Sequence, residues 1–65
     1  MKWIVLKAFG IAYYAVYGIF GCVFSAGGSY VGFYSDGKRI ATKSFPQLAW
    51  AEGFVESNYK YFHGV

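Results

Sequence analysis

The stretch IAYYAVYGIFGCVF, residues 11–24, decides how the chain is interpreted, because it is strongly apolar and holds no charged side chain. It lies within a longer gap of 28 residues, from Ala8 to Ser35, that contains no lysine, arginine, aspartate or glutamate. A bilayer core needs about 20 predominantly apolar residues in helical form, so the gap is long enough to span one. The stretch is either a membrane segment or a very apolar part of a folded domain.

Strand periodicity is the first interpretation to test, because tyrosine, phenylalanine, valine and isoleucine favour sheets. Alternate positions of residues 11–22 form two sets of side chains, and neither set is polar. A strand with this pattern would have to be buried on both faces, which a chain of 65 residues can hardly arrange. The strand interpretation is therefore set aside in favour of a helix.

Helical periodicity sorts the stretch by side-chain size rather than by polarity. One side of the helix carries Phe9, Tyr13, Tyr17, Phe20 and Phe24 within an arc of about 80°, and the opposite side carries small residues within about 120°. The small residues are Ala8, Ala12, Ala15, Gly18, Cys22 and Ala26. Small residues spaced four apart let two helices approach closely in lipid. The sequence thus predicts a transmembrane helix over residues 8–26 that packs on another helix through this small-residue face.

The flanks of the predicted span are short. Residues 1–7 form a short basic N-terminal tail, and residues 27–29 form a glycine hinge in which Gly27 and Gly28 end the helix. The net charge is +3, and Lys2, Lys7 and the amino terminus on one side of the span face Lys38, Arg39 and Lys43 on the other. The positive-inside rule therefore leaves the membrane orientation open.

Residues 30–58 change period and predict a small headpiece. Asp36 and Gly37 between apolar runs are a strong hairpin signal. Ser44 suits the N-cap of a helix with Pro46 in its first turn, and Asn58 is a plausible stop. The predicted fold class is a single transmembrane α-helix followed by a β-hairpin plus α-helix (ββα) headpiece, with residues 59–65 as a loosely ordered tail.

Part of this headpiece has a family resemblance. The segment GFYSDGKRIATKSFPQLAWAEGF, within residues 30–56, resembles the ββα unit of the N-terminal arm-binding domains of phage-type tyrosine integrases. The matching positions are the basic turn at Gly37, Lys38 and Arg39, the aromatic Phe45, and the helix residues Ala51 and Phe54. The resemblance implies a ββα shape and, in that family, DNA binding through the sheet.

The basic residues of the headpiece are few. Lys38, Arg39 and Lys43 form the only close cluster and are the predicted headpiece surface. A nucleic-acid binder normally carries a larger basic patch, because neutralising phosphates dominates its affinity. The sequence therefore does not favour a nucleic-acid partner.

Cys22 is the single cysteine and His63 the single histidine, so neither an internal disulfide nor a zinc site of four protein ligands can form. We expect no enzyme activity, cofactor or metal. IFGC, residues 19–22, resembles a bacterial lipobox, which makes Cys22 a candidate for lipidation. A cleaved signal peptide is another interpretation of the N-terminal segment, and a small buried packing residue is the plainest interpretation of Cys22.

Three functions follow from these interpretations. The first is a single-pass accessory or regulatory protein of the membrane, plausibly the bacterial inner membrane, that binds a larger integral membrane protein. The second is a phage-type pore-forming or superinfection-exclusion protein that self-associates in the bilayer. The third is a lipoprotein or secreted ββα binding module.

Overall fold

The computed structural model describes residues 2–63, which form one antiparallel sheet and one helix. The sheet has five strands in the order β1-β2-β3-β4-β5, so each strand pairs with its neighbours in sequence. The strands are β1 Trp3–Phe9, β2 Ala12–Tyr17, β3 Gly21–Ala26, β4 Ser29–Ser35 and β5 Ile40–Phe45, and the helix is α1 Leu48–His63.

The predicted transmembrane helix over residues 8–26 is wrong, because this segment contains the end of β1 and all of β2 and β3. Among residues 2–63, no helix is long and apolar enough to cross a membrane. The predicted membrane location depended on that helix and is wrong on the same ground. So are the single-pass accessory role and the pore-forming or exclusion role.

Glycines make the turns that divide the apolar stretch into strands. Gly10 and Gly18 have φ angles of 58° and 63°, in the left-handed region where side chains with a Cβ are disfavoured. Gly27 and Gly28, at 58° and 84°, form the two-residue link of a hairpin in which Ala26 pairs with Ser29. The predicted glycine hinge is therefore a tight turn within the sheet.

The helix covers one face of the sheet and packs on β3, β4 and β5. Ala51, Val55 and Tyr59, four residues apart, are the buried residues of α1. They pack against Val23 and Tyr34, which are both fully buried. This small core is closed at its sides by half-buried aromatic residues from β1, β2, β4, β5 and α1 and from the turn at Phe20. In the sequence, Leu48, Ala51, Phe54 and Val55 follow a helical period and predict an inner face, and Ala51 and Val55 are its buried members.

Two glycines let the helix lie directly on the sheet. A Cβ on Gly32 would stand 2.9 Å from the backbone oxygen of Ala51, and one on Gly21 would stand 2.5 Å from a methyl carbon of Val55. Real Cβ atoms do not come so close to other heavy atoms. The distance between α1 and the β3–β4 pair is therefore set by the missing side chains of Gly21 and Gly32.

The hairpin and helix predicted for the tail are present as β4, β5 and α1, but they do not form a separate headpiece. Ser44, predicted as an N-cap, lies inside β5, and α1 begins at Leu48. Asn58 does not stop the helix, because its side-chain amide donates to the carbonyl of Phe54 one turn earlier. The helix continues to His63, so the loosely ordered tail predicted from residue 59 is wrong up to that point. Residues 64 and 65 lie outside the described residues.

The fold class predicted from the sequence is thus wrong, and the structure is a five-stranded sheet with one helix on one face. The segment before Cys22 supplies two of the strands, and Ala15 within it is fully buried. A leader cleaved before Cys22 would remove these strands. The lipoprotein and secreted-module interpretations treated this segment as separable from the folded part, whereas it supplies β1 and β2; lipidation of Cys22 stays a prediction.

We predict that Gly32→Ala lowers the free energy of unfolding by about 1–3 kcal/mol, because the added methyl group presses on the backbone of α1. The matched control is Gly53→Ala, on the exposed side of α1 with no atom within 4 Å of the new Cβ. It should raise the free energy by about 0.5–1 kcal/mol. Urea unfolding of both variants measures this, and a shift of the same sign in both would contradict the proposed contact.

Candidate functional site

The sheet face opposite α1, called the open face below, carries two rows of side chains that run across all five strands. The pairing of the strands fixes these rows. The upper row is Lys7, Tyr14, Phe24, Val31 and Ser44, and the lower row is Ile4, Val16, Cys22, Phe33 and Thr42. Neighbouring residues of one strand point to opposite faces, so residues two apart on a strand share a face. No other described element packs on the open face.

The open face is apolar and in contact with solvent. Tyr14 is 39% exposed, Phe24 36% and Ile4 56%, and Ile40 beside them at the end of β5 is 72% exposed. Lys7 is the only charged residue of the two rows. An antiparallel sheet with one covered face normally carries polar residues on the other. An exposed apolar surface of this kind marks a binding site in most proteins.

Both edge strands of the sheet carry features that hinder pairing with strands of other molecules. At one edge, β1 has a bulge between Val5 and Lys7 and carries the Lys7 charge. At the other edge, β5 carries Lys43 and is followed by Pro46. Bulges, lysines and prolines are the usual devices that prevent edge-to-edge association. Both edges therefore carry such devices, although β1 also exposes Val5, Leu6 and Phe9, and the apolar centre of the open face carries none.

The predicted helix-packing residues do not share one surface. Ala12, Cys22 and Ala26 lie in strands with the open-face register, whereas Ala15 is buried under the helix-covered side. Gly18 makes a turn. Ala8 lies in β1 opposite Tyr13, away from the two open-face rows. The predicted small-residue face exists only if these residues follow the period of a helix. In strands, which have a period of two residues, they fall on different faces of the sheet and in turns.

The residues of the open face carry a sequence signal that the helical interpretation overlooks. Phe24, Val31 and Phe33 alternate with helix-covered residues of β3 and β4. In residues 11–22 both alternate sets were recognised as apolar, which is the signature of a sheet covered on both sides. The signal was discarded because the chain is too short to cover both faces itself.

Cys22 lies in β3, the middle strand of the sheet, and is a half-buried free thiol of the open face. Burial raises the pKa of its thiol above the ordinary value. The thiol is therefore protonated at neutral pH and is a poor nucleophile. In this position Cys22 acts as a small apolar side chain between its larger neighbours.

The predicted basic surface is dispersed. Lys38 and Arg39 lie in the turn between β4 and β5, and Lys43 is in β5, with its ammonium group 5.6 Å from the centre of the Phe45 ring. Arg39 is held by Asp36, with 2.8 Å between Nη1 and Oδ2, and stacks 4.3 Å from the ring centre of Phe62. None of the three belongs to the two rows of the open face.

Asp36 organises that turn. Its Oδ1 accepts hydrogen bonds from the backbone N–H groups of Lys38 and Arg39, each at 2.9 Å. Its Oδ2 accepts one from the Tyr34 hydroxyl, also at 2.9 Å. These two backbone hydrogen bonds are the largest cause that holds the pKa of Asp36 well below its usual range. The Tyr34 hydroxyl and the Arg39 charge lower this pKa further. The Tyr34 hydroxyl also lies 2.6 Å from Nε2 of His63, which ties the end of α1 to this turn.

Two further hydrogen bonds tie the sheet to α1. Trp3 donates its indole N–H to Glu56 at 2.7 Å, which links β1 to α1. The Tyr59 hydroxyl accepts the backbone N–H of Phe20 at 2.6 Å. Within residues 2–63, no group of three or more histidine, cysteine, aspartate or glutamate side chains is placed to hold a metal ion. No buried side-chain polar atom in that range lacks a hydrogen-bond partner.

Shallow pockets lie at both ends of the sheet. One, of about 350 Å³, lies between the turns at Ile11 and Gly27–Gly28 and includes Tyr30. The other, of about 230 Å³, lies on the lower end of the open face and includes Cys22 and Phe33. The second makes the lower row of the open face slightly concave, which suits the entry of a side chain from another surface.

No protein-family model matches the chain, and neither a curated protein nor a solved structure is significantly similar to it. The resemblance of residues 30–56 to integrase arm-binding domains stays a prediction.

We predict that acid destabilises the protein through Asp36. A carboxylate whose pKa is lower in the folded state than in the unfolded state stabilises the fold above its unfolded pKa. That stabilisation is lost as the pH falls below about 4. Urea midpoints measured from neutral to acid pH should therefore fall more steeply for the wild type than for Asp36→Asn. Parallel curves for the two proteins would contradict the assignment.

We also predict slow alkylation of Cys22 in the folded protein. Its rate should rise with pH through a midpoint above 9, the ordinary value for the group, because burial disfavours the thiolate. Unfolding in urea should lower the midpoint and increase the rate at neutral pH. As Cys22 is the single cysteine, total incorporation of iodoacetamide by mass spectrometry reports on this site alone. Equal rates in the folded and unfolded states would contradict its burial.

Proposed function

We propose that this chain is a non-enzymatic protein-interaction module that binds a partner polypeptide through the open face. The observation that carries the proposal is that both faces of the sheet are apolar, whereas α1 covers one of them. Aromatic and aliphatic residues at the centre of a surface, with charge at its margin, are typical of the core of a protein–protein interface. On the open face the single charge of the two rows, Lys7, lies in edge strand β1.

The shape of the surface supports a protein rather than a small molecule as the ligand. Small-molecule sites are concave clefts of about 300–1,000 Å³ that enclose most of the ligand. The concavity on the open face is about 230 Å³, which is smaller than such a cleft, and the pocket of about 350 Å³ lies at the other end of the sheet, between the turns at Ile11 and Gly27–Gly28. A broad sheet face with a shallow depression offers a large contact area to another folded surface.

The fate of the reactive groups supports a non-enzymatic role. The carboxylate of Asp36 is occupied by the β4–β5 turn, and that of Glu56 by Trp3. The protonated thiol of Cys22 lies among apolar neighbours. Each of these groups has a structural partner or surroundings that suppress its reactivity.

The proposal predicts which residues meet the partner in cells. Replacing Phe24 with the photo-crosslinking residue benzoylphenylalanine should yield protein adducts on irradiation, because Phe24 lies at the centre of the open face. The matched control is the same replacement at Trp50, an aromatic residue that is 55% exposed on α1 and outside this face. Adducts are separated by mass and sequenced after irradiation of native cells.

Protein adducts from position 24 and background from position 50 are the expected result. Equal protein adducts from both positions would mean that contact is non-specific. Adducts only with lipid at position 24, or none, would overturn the proposal.

A further inference from the structure

We propose that the occupant of the open face is a second copy of this chain, packed face to face so that the two sheets form a sandwich with the helices outside. This inference rests on the proposed function and names the partner for the same surface. It is carried by the lack of charge on the face, by its size and by the arrangement of large and small side chains in its two rows.

The open face carries little charge. A partner that binds by electrostatic complementarity would need charged groups to meet, and the two rows offer only Lys7. The face instead requires an uncharged apolar surface of similar extent. The chain itself supplies such a surface, since each copy exposes the same rows. The net charge of +3 is carried mainly by residues outside the two rows.

The area of the open face suits a small dimer interface. The five strands span about 20 Å in the pairing direction and the rows with their flanking residues span about 20 Å along the strands, which gives a projected area of about 400 Å². Side chains corrugate this surface, so its accessible area exceeds the projection. Two such faces together project about 800 Å², and the corrugation raises their accessible area toward the lower limit of specific and stable interfaces, about 1,200 Å². The expected dimer is therefore small and of moderate affinity.

The rows define how two copies fit. In β2 and β3 the large residues Tyr14 and Phe24 belong to the upper row and the smaller Val16 and Cys22 to the lower row. In β4 the order is reversed, with Val31 above and Phe33 below. The two copies can be related by a two-fold axis that runs perpendicular to the strands and passes between the two rows. This axis places each strand over the same strand of the other copy, and it places the upper row of one copy over the lower row of the other.

With this axis, a large residue meets a smaller one on each of the three central strands. Phe24 of one copy lies over Cys22 of the other, Tyr14 over Val16, and Phe33 over Val31. Such alternation lets two layers interdigitate without voids. The alternative axis, along the strands, stacks Phe24 on Phe24 and leaves Cys22 facing Cys22. We therefore assign the axis across the strands.

The oligomeric state of the full chain tests the proposal. Sedimentation equilibrium should give twice the chain mass of 7.3 kDa at high concentration, with dissociation on dilution. Val31→Asp should weaken the dimer by about a hundred-fold or more, because it buries an unpaired charge against the other copy. Trp50→Asp, on the exposed side of α1, is the control and should leave the dimer unchanged. Far-UV circular dichroism confirms that each variant is folded.

A second measurement uses the native thiol and needs no substitution. The rate of Cys22 alkylation by iodoacetamide at a fixed pH should fall as the wild-type concentration rises, since the second copy covers the thiol. Wild type that is monomeric at all concentrations, with an alkylation rate independent of concentration, overturns the proposal. If Phe24 photo-adducts then contain a different protein, the proposed function stands and only the identity of the partner is refuted.

Disulfide formation tests the axis. Wild type mixed with the double variant Cys22→Ala/Phe24→Cys should form a mixed disulfide under mild oxidation, because positions 22 and 24 of the two copies face each other. Wild type alone should oxidise more slowly. Faster formation of the Cys22–Cys22 disulfide in wild type would overturn the axis across the strands.

Discussion

The structure depends on the close approach of α1 to the middle of the sheet. Gly21 and Gly32 present no side chain there, so the buried edge of the helix at Ala51 and Val55 rests on the backbone of β3 and β4. A core this small gains most from contacts at van der Waals distance, since it has few residues to bury. The glycines therefore determine which face of the sheet the helix covers, and with it which face is left open.

Because α1 covers one apolar face of the sheet, the apolar residues of the opposite face are left in contact with solvent. Val16, Phe24, Val31 and Phe33 are on the open face because their alternate neighbours are under the helix. The edges at β1 and β5 carry a bulge, lysines and a nearby proline, so further strands are discouraged from pairing there. This arrangement supports the proposed association through the open face, where the two rows complement those of a second copy.

The accuracy of the sequence-based predictions varied along the chain for physical reasons. The hairpin at Asp36 and the inner stripe of α1 are local signals, a turn dipeptide and a 3.6 period, and both were recognised. The segment of residues 8–26 was misassigned because its apolar residues satisfy a helix and a strand equally well. Turn glycines at positions 10, 18 and 27–28 recur every 8–10 residues, as expected for hairpins, and this spacing was outweighed by the length of the uncharged gap.

The sequence by itself determined that both alternate sets of residues 11–22 are apolar, and that this segment must be shielded from water on two sides. It also determined the turn at Asp36 and the helix that follows β5. Only the tertiary structure decided how the shielding is divided, because the glycines that admit α1 to one face act through contacts between residues far apart in the chain. Whether Phe24 lies beneath a helix or on the open face is set by strand register and helix placement, which no local pattern encodes.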